Sequence, residues 1–258
     1  MNDKPRNSEG IICPVKGKRD PHVAQDALMV MIPSELRFLA QETKAEKLPF
    51  GEMSLYHLFQ TMEKINAPLT LAGPFLGAPH AVIAMEKLIV LGAKRIWVLG
   101  WCGSLQPDLL IGHLIIPTGA VSEEGTSSHY PILDRTLESN KELNCMLEEA
   151  LLHKGLPFSK GSVWTTDAPY RETPDKVKAY RNKGILAVEM EISALMTVAL
   201  YRSVAMAGLL VVSDELFELT WRPGFSNPLL KKNSRAAGKV LLGLAGTLTH
   251  ENTLGPEL

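Results

Sequence analysis

Short apolar runs alternate along the chain with segments in which apolar residues recur every three or four positions. Runs of the first kind are typical of β-strands, and the second pattern is typical of amphipathic α-helices. We predict strands at "ALMVMI" (27–32), "LTLAG" (69–73), "RIWVLG" (95–100), "HLIIPTGAV" (113–121), "LAVEM" (186–190) and "GLLVVSD" (208–214). The helical pattern covers 34–46, 79–91, 139–154, 192–206 and 228–246.

This alternation predicts an α/β fold with a twisted, mostly parallel central sheet that helices cover on both faces, which makes three layers. Several of the predicted strands are apolar almost throughout, as strands between two helix layers usually are. No internal repeat or low-complexity linker interrupts the pattern. We therefore assign 27–250 to one α/β domain, 1–26 to a polar N-terminal lead-in and 251–258 to a C-terminal tail.

Composition and charge narrow the possible partners. The 258 residues are 45% hydrophobic and 21% charged, and the formal net charge is −1 without any block of Lys and Arg. This balance argues against nucleic acid and against a membrane surface as partners. No apolar stretch reaches the roughly 18 residues that a membrane span needs. The first ten residues are polar and no apolar signal-peptide core follows, so we expect a cytoplasmic protein.

Cysteine and histidine usage gives no sign of a metal site. The three cysteines, Cys13, Cys102 and Cys145, lack metal-type spacing, and we expect them to be reduced thiols. The seven histidines form no HExxH or paired-ligand pattern, so we predict no metal.

Polar or glycine-rich clusters directly follow four apolar runs. Three of these runs are strands predicted above, and the fourth covers residues 160–165. The clusters are "GWCGSL" (100–105), "TTDAPYRET" (165–173), "EME" (189–191) and "SDE" (213–215). Because ligands of such sheets bind beyond the carboxyl ends of the strands, we predict a site there. Each cluster also has a purely structural interpretation, such as a glycine turn, a helix cap or an acidic first turn of a helix.

Five segments in this order and at these spacings resemble the nucleoside phosphorylase/uridine phosphorylase family, which also contains methylthioadenosine nucleosidases. The segments are "VEMEISAL" (188–195), "GLLVVSD" (208–214), "TTDAPY" (165–170), "GWCGSLQP" (100–107) and "GAP" (77–79). The resemblance covers roughly residues 20 to 245. It implies a single phosphorylase-type α/β domain, a nucleoside substrate, and a homodimer or a dimer-built hexamer. It implies no cofactor, with inorganic phosphate as co-substrate if the reaction is phosphorolytic.

The resemblance also implies roles for individual residues. In the segment 189–191, Glu191 accepts hydrogen bonds from the sugar hydroxyls and Met190 packs beneath the ring. A carboxylate beside the sugar stabilises the positive charge that develops there as the glycosidic bond breaks. Asp214 protonates the leaving purine at N7. We therefore predict Asp214 and Glu191 as catalytic residues; the predicted substrate-binding residues are Glu189, Met190, Glu191, Ser213, Gly103, Tyr170, Arg171 and His22. His22 in "DPHVAQ" (20–25) corresponds to a histidine that one subunit offers to the sugar 5′ end in its neighbour.

The chain departs from the family at the residues that bind phosphate. Phosphorolytic relatives usually carry an arginine where this chain has Val98, and a Thr or Ser where it has Trp101. A guanidinium forms one of the strongest contacts to phosphate, whereas an indole offers a single donor. Arg171 and Arg222 are candidates for a replacement charge.

A second departure lies at the exit of the first strand, "IPSELRFLA" (32–40), where phosphorylases have a Gly-Asp-Pro-x-Arg turn. One alignment puts Arg37 on the phosphate-binding arginine, and another puts Glu35 on the glutamate that activates water in the nucleosidases. The sequence leaves both alignments open. We predict a phosphate or water site formed by Arg37, Glu35, Trp101 and Cys102.

The base pocket favours a purine. The Gln-x-Arg pair that reads uracil is absent from 165–173, and Asp214 is present. Pro169 occupies the position of the usual aromatic residue that stacks on the base, with Tyr170 next to it. The leading expectation is phosphorolysis of a purine-type nucleoside to free base and ribose 1-phosphate. The alternatives are a hydrolytic nucleosidase, a uridine phosphorylase-like activity, or a nucleoside-binding member with weak catalysis.

Overall fold

A ten-stranded sheet forms the centre of the computed structural model, which describes residues 10–49, 55–61, 68–132 and 136–245. The strands are β1 (Asp26–Val30), β2 (Glu46–Lys47), β3 (His57–Gln60), β4 (Leu69–Gly73), β5 (Arg95–Ser104), β6 (Leu114–Glu123), β7 (Phe158–Thr166), β8 (Ala187–Glu189), β9 (Ala205–Glu215) and β10 (Arg222–Pro223). Their order is β10-β9-β6-β7-β8-β5-β1-β4-β3-β2. Because β9 also pairs with β5, the strands β5, β9, β6, β7 and β8 close into a ring.

Helices cover the sheet on both faces. They are α1 (Pro33–Glu42), α2 (Ala78–Leu91), α3 (Lys141–His153), α4 (Pro174–Asn182), α5 (Ile192–Arg202) and α6 (Pro228–Leu244), with short 3₁₀ turns at Ser127–His129 and Pro169–Arg171. Leu28 and Val30 of β1 belong to the core under α1, α3 and α6, whereas Ala27 and Met29 belong to the core under α2 and α5. Successive side chains of a strand point to opposite faces, so both faces of β1 are apolar. The predicted three-layer α/β fold is confirmed.

The predicted parallel pairing holds for the long contacts of the sheet. The pairs β1–β4, β1–β5, β5–β9 and β6–β7 are parallel. The pairs β5–β8 and β6–β9 are antiparallel. The strands β1, β4, β5 and β9 therefore run in one direction, and β6, β7 and β8 run in the other. The predicted clusters are thus brought together by the closed ring, in which Gly103 pairs with Val188 and Asp214, and not by carboxyl ends that share one edge.

Several predicted element ends are wrong. The helix predicted over 34–46 ends at Glu42. The strand predicted over 95–100 continues as β5 to Ser104, because Gly103 pairs with Val188 of β8 on one side and with Asp214 of β9 on the other. The helix predicted to reach residue 206 ends at Arg202, since Ser203 adopts a left-handed conformation with φ 54°. The C-terminal helix ends at Leu244, and the predicted tail lies outside the described residues.

The sequence pattern did not reveal β2, β3, β10 or α4. In α4 the buried side chains are Val177 and Tyr180, too few for a clear apolar periodicity. The described part of the polar lead-in, residues 10–26, packs against α2, because Lys87 Nζ donates to the Val15 carbonyl oxygen at 2.8 Å and forms an ion pair with Asp20 at 2.8 Å.

Candidate active site

Glu189 holds the turn between β8 and α5. Its Oε2 accepts hydrogen bonds from the backbone N–H groups of Glu191 at 2.6 Å and of Ile192 at 2.7 Å, and Thr165 Oγ1 of β7 donates to its Oε1. The carboxylate thus lies at the positive N-terminus of α5, where a negative charge is favourable. Both carboxylate oxygens are bound within the protein. In this structure Glu189 anchors the segment that carries Met190 and Glu191.

Glu191 is the second carboxylate of this turn and is only 8% exposed. Its Oε1 accepts a hydrogen bond of 2.6 Å from the N–H of Gly77, the residue that precedes α2. Burial, followed by the charge of Glu189, raises the pKa of Glu191 above its usual range. Burial also raises the pKa of Glu189. Two buried carboxyls side by side cost stability, and such costs are concentrated at functional sites.

Asp214 lies near the end of β9, beside Gly103 of β5. A Cβ atom on Gly103 would lie 3.1 Å from Asp214 Oδ2 and 2.4 Å from Leu216 Cδ1, so a side chain at 103 would displace both neighbours. Ser213 Oγ donates to Asp214 Oδ1 at 2.7 Å. The role of Gly103 in this structure is to make room for these side chains at the end of the sheet.

Cys102 is buried next to the carboxylates. Burial, followed by the charges of Asp214 and Glu189, raises the pKa of its thiol well above the usual range. The thiol is therefore protonated at neutral pH. It belongs to the core under α2 and α5, on the opposite face of β5 from the indole of Trp101. The structure thus separates Cys102 from the other three residues of the predicted phosphate or water site.

The loop that follows β7 contributes one carboxyl that the sequence did not reveal. Tyr170 is 99% exposed and Arg171 is exposed, so neither packs against the described protein surface. Glu172 is half-buried, and burial, followed by the charge of Asp214, raises its pKa to about 7. Its proximity to Asp214 results from two loops that are distant in sequence, and no spacing rule could have indicated it.

Glu35, Arg37 and Trp101 line a common cavity of about 450 Å³ between α1, α6 and the end of β5. Phe225, Lys231 and Arg235 also line it. Glu35 is 3% exposed, its Oε2 has no hydrogen-bond partner among the described residues, and neither has Nε of Arg235. Burial raises the pKa of Glu35, while Ser34, Arg235 and Lys231 oppose the shift. Two buried polar atoms without partners are unusual and indicate a cavity that binds a polar ligand.

The two residues that depart from the family point to opposite sides of β5. Val98 is buried in the core under α2 and α5. Trp101 Nε1 donates to Ser234 Oγ of α6 at 2.9 Å, and the indole stacks on Phe225 at 6.0 Å between ring centroids. The single donor of this indole is therefore bound to α6.

His22 lies far from Glu189 and Glu191 in this chain. A Cβ atom on Gly92 would lie 3.1 Å from His22 Cε1, so the histidine sits at the C-terminal end of α2, whereas Gly77 and Glu191 meet at its N-terminal end. The 14 residues of α2 separate these ends by roughly 21 Å. The chain by itself therefore does not bring His22 together with the other predicted substrate-binding residues.

No group of three or more His, Cys, Asp or Glu side chains in the described part of the chain could hold a metal ion. Among the same residues, no helix is long and apolar enough to cross a membrane.

Known proteins are similar to parts of this chain. A purine nucleoside phosphorylase DeoD-type from Bacillus cytotoxicus and one from Bacillus cereus are each 34% identical over 151 residues, which is 58% of this chain and 64% of theirs. The match thus spans less than two thirds of the length of these relatives.

Solved structures share the fold. A purine nucleoside phosphorylase from Toxoplasma gondii in complex with immucillin-H has a TM-score of 0.78 at 24% identity, over 86% of this chain and 90% of that one. A uridine phosphorylase from Vibrio fischeri has a TM-score of 0.77 at 24% identity, over 86% and 91%. The family model of the phosphorylase superfamily matches residues 25–244. The chain belongs to the phosphorylase superfamily.

Proposed function

We propose that this protein cleaves the N-glycosidic bond of a purine-type nucleoside by phosphorolysis, releasing the free base and ribose 1-phosphate. The observation that carries the proposal is Glu191, a buried carboxylate fixed by the Gly77 N–H and by the turn that Glu189 anchors. The similarity to purine nucleoside phosphorylases supports the same reaction.

Glu191 binds the sugar in this proposal. Its carboxylate accepts hydrogen bonds from the sugar hydroxyls, and it stabilises the positive charge that develops on the sugar in the transition state. Burial and the charge of Glu189 favour the protonated form of this carboxyl, because they raise its pKa. Sugar hydroxyl donors and the developing positive charge favour the ionised form. The substrate thus supplies hydrogen-bond donors to the buried carboxylate, and the transition state supplies a positive charge beside it. Met190, half-buried between the two carboxylates, packs beneath the ring.

Asp214 donates the proton that the leaving base needs. A purine leaves as an anion unless N7 is protonated, so a carboxylic acid near N7 lowers the barrier. Ser213 Oγ at 2.7 Å orients this carboxyl. The lack of the Gln-x-Arg pair in 165–173 supports a purine over uracil.

The cavity beside Trp101 holds the phosphate. Arg37, Lys231 and Arg235 supply three positive charges around it, against the single carboxyl of Glu35. Lys231 and Arg235 of α6 supply positive charge from the face of β5 opposite to Val98. Guanidinium groups suit phosphate because they offer parallel N–H donors. A protonated Glu35 would add one further donor to a phosphate oxygen.

One observation favours hydrolysis as a second candidate. Glu35 is buried and its Oε2 has no hydrogen-bond partner in the described chain. A general base needs such an oxygen to bind the attacking water. In this case the three cations are dispensable, and Glu35 removes a proton from the attacking water.

Base release from adenosine, inosine and guanosine, measured with and without phosphate, separates the candidates. Under phosphorolysis, Arg235→Gln raises the KM for phosphate by roughly 10- to 100-fold, since a charge-assisted contact is worth about 1.5–3 kcal/mol. Lys239→Gln is the matched control, because Lys239 and Arg235 both lie over the Phe38 ring and Lys239 does not line the cavity. Phosphate-independent release that Glu35→Gln abolishes would establish hydrolysis. No release from any nucleoside would refute both candidates.

A further inference from the structure

The segment that follows β9 folds back over the end of this strand. Its short strand β10 pairs Arg222 with Glu215 and Pro223 with Asp214. Gly224 N donates to the Ser213 carbonyl oxygen at 2.8 Å. A Cβ atom on Gly224 would lie 2.7 Å from this oxygen, so only glycine allows the approach. The backbone of the segment is thus fixed next to Asp214.

This return places Trp221 directly on the carboxylate of Asp214. Trp221 Nε1 donates to Asp214 Oδ2 at 2.9 Å, while Ser213 Oγ donates to the other oxygen. The ring of Phe225 lies 6.1 Å from the indole, centroid to centroid, and supports one side of it. The indole is nevertheless 60% exposed. A large aromatic side chain with its donor bound and most of its surface free is a suitable platform for a planar ligand.

We infer that Trp221 is the positioning residue of Asp214 and forms the aromatic wall of the base pocket. The inference rests on the proposed function, in which Asp214 meets the base. The loop after β7 offers no aromatic wall, because Pro169 carries no aromatic ring and the ring of Tyr170 is fully in solvent. Trp221 provides an aromatic ring from the segment after β9. Stacking on an aromatic side chain suits any purine, because every base has a π-face.

The hydrogen bond also fixes the orientation of the Asp214 carboxyl. Trp221 Nε1 holds Oδ2 and Ser213 Oγ holds Oδ1, so two donors set the plane of this group. Removing the indole donor leaves Oδ2 without this contact, and the carboxyl is then free to rotate away from the base.

Two substitutions separate the donor from the ring. Trp221→Phe keeps an aromatic face and removes the N–H. We expect a KM for inosine within about 2-fold of wild type and a kcat lowered by about 5-fold or more, since Asp214 loses one of the two contacts that orient it. Trp221→Leu also removes the face, and we expect the KM to rise by about 10-fold or more, in line with the loss of base stacking. Leu219→Ala in the same segment is the control for nonspecific effects on the loop and should match wild type.

A binding measurement keeps this test independent of turnover. Hypoxanthine or adenine stacked on Trp221 should quench tryptophan fluorescence in wild type, and the quench should be lost in Trp221→Phe while calorimetry still detects the base. If wild type cleaves nucleosides but Trp221→Phe and Trp221→Leu match it in KM, kcat and quenching, the inference is overturned and the proposed function stands. If wild type cleaves nothing but shows the Trp221-dependent quench, the reaction is wrong and the base site stands. Absence of both cleavage and quenching overturns both.

Discussion

Replacing Glu191 by Gln tests the sugar site with the smallest change in shape. The amide keeps an oxygen that can accept the Gly77 N–H bond, but it removes the negative charge beside the sugar. Loss of one preorganised electrostatic contact typically lowers kcat by about 10²–10³, equal to roughly 2.7–4 kcal/mol of transition-state stabilisation. We expect kcat/KM for a purine nucleoside to fall by this amount in steady-state assays.

The same substitution should leave the fold as stable as wild type, or more stable at high pH. The pKa of Glu191 is raised in the folded protein, so folding disfavours its ionisation. Stability is therefore highest when the carboxyl is protonated, and it falls as the pH rises from the ordinary glutamate range toward the raised pKa. Gln cannot ionise and avoids this loss. Thermal unfolding at pH 5 and pH 8 should show a Tm for the variant that depends less on pH.

Glu189→Gln is the matched comparison, because it changes the neighbouring carboxylate of the same turn. Its oxygens accept from the Glu191 and Ile192 N–H groups and from Thr165. An amide nitrogen cannot accept any of these bonds, and leaving a buried donor unpaired costs about 1–3 kcal/mol. We expect Glu189→Gln to lower Tm. Near-wild-type turnover in a well-folded Glu191→Gln protein would remove Glu191 from the catalytic set and refute this reasoning.

Three further predictions concern the base and the anion. Asp214→Asn should nearly abolish cleavage of natural purine nucleosides but affect nucleosides with a readily leaving base, such as a nitrophenyl riboside, much less; equal losses would mean that Asp214 is structural. Glu172→Gln removes a carboxyl whose pKa burial, followed by the charge of Asp214, raises to about 7, so the kcat/KM profile of the variant should be flatter than that of wild type around pH 7; an unchanged profile would separate Glu172 from the reaction. Arg37→Ala should abolish the phosphate dependence of base release if the enzyme is phosphorolytic. If the enzyme is hydrolytic, Arg37→Ala should matter little and Glu35→Gln should remove activity. If neither variant alters the rate or the phosphate dependence, both proposed alignments of the first loop are wrong.

The layers of the fold were predictable because they depend on local patterns. Leu28 and Val30 alternate with Ala27 and Met29, and this alternation alone requires apolar cover on both faces of β1. The end of β5 was not predictable in the same way. Gly100 and Gly103 favour a turn locally, but pairing with β8 and β9 outweighs that preference and extends the strand.

The candidate site was predictable only where residues lie together in sequence. The pairs Glu189–Glu191 and Ser213–Asp214 follow apolar runs and are visible as motifs. Trp221 lies only seven residues from Asp214 in the chain, but their contact depends on a backbone return at β10 that the apolar pattern did not reveal. The same holds for the convergence of Lys231 and Arg235 on Glu35, because α1 and α6 are about as far apart in the chain as two helices of this domain can be.

The fate of phosphate during cleavage tests the central proposal most directly. Wild-type protein, inosine and inorganic phosphate are followed by ³¹P NMR, while hypoxanthine is quantified in the same samples. The account predicts that a sugar 1-phosphate resonance grows as inorganic phosphate declines, with one phosphate consumed for each base released. Hypoxanthine release without any loss of inorganic phosphate, or no release at all, would contradict it.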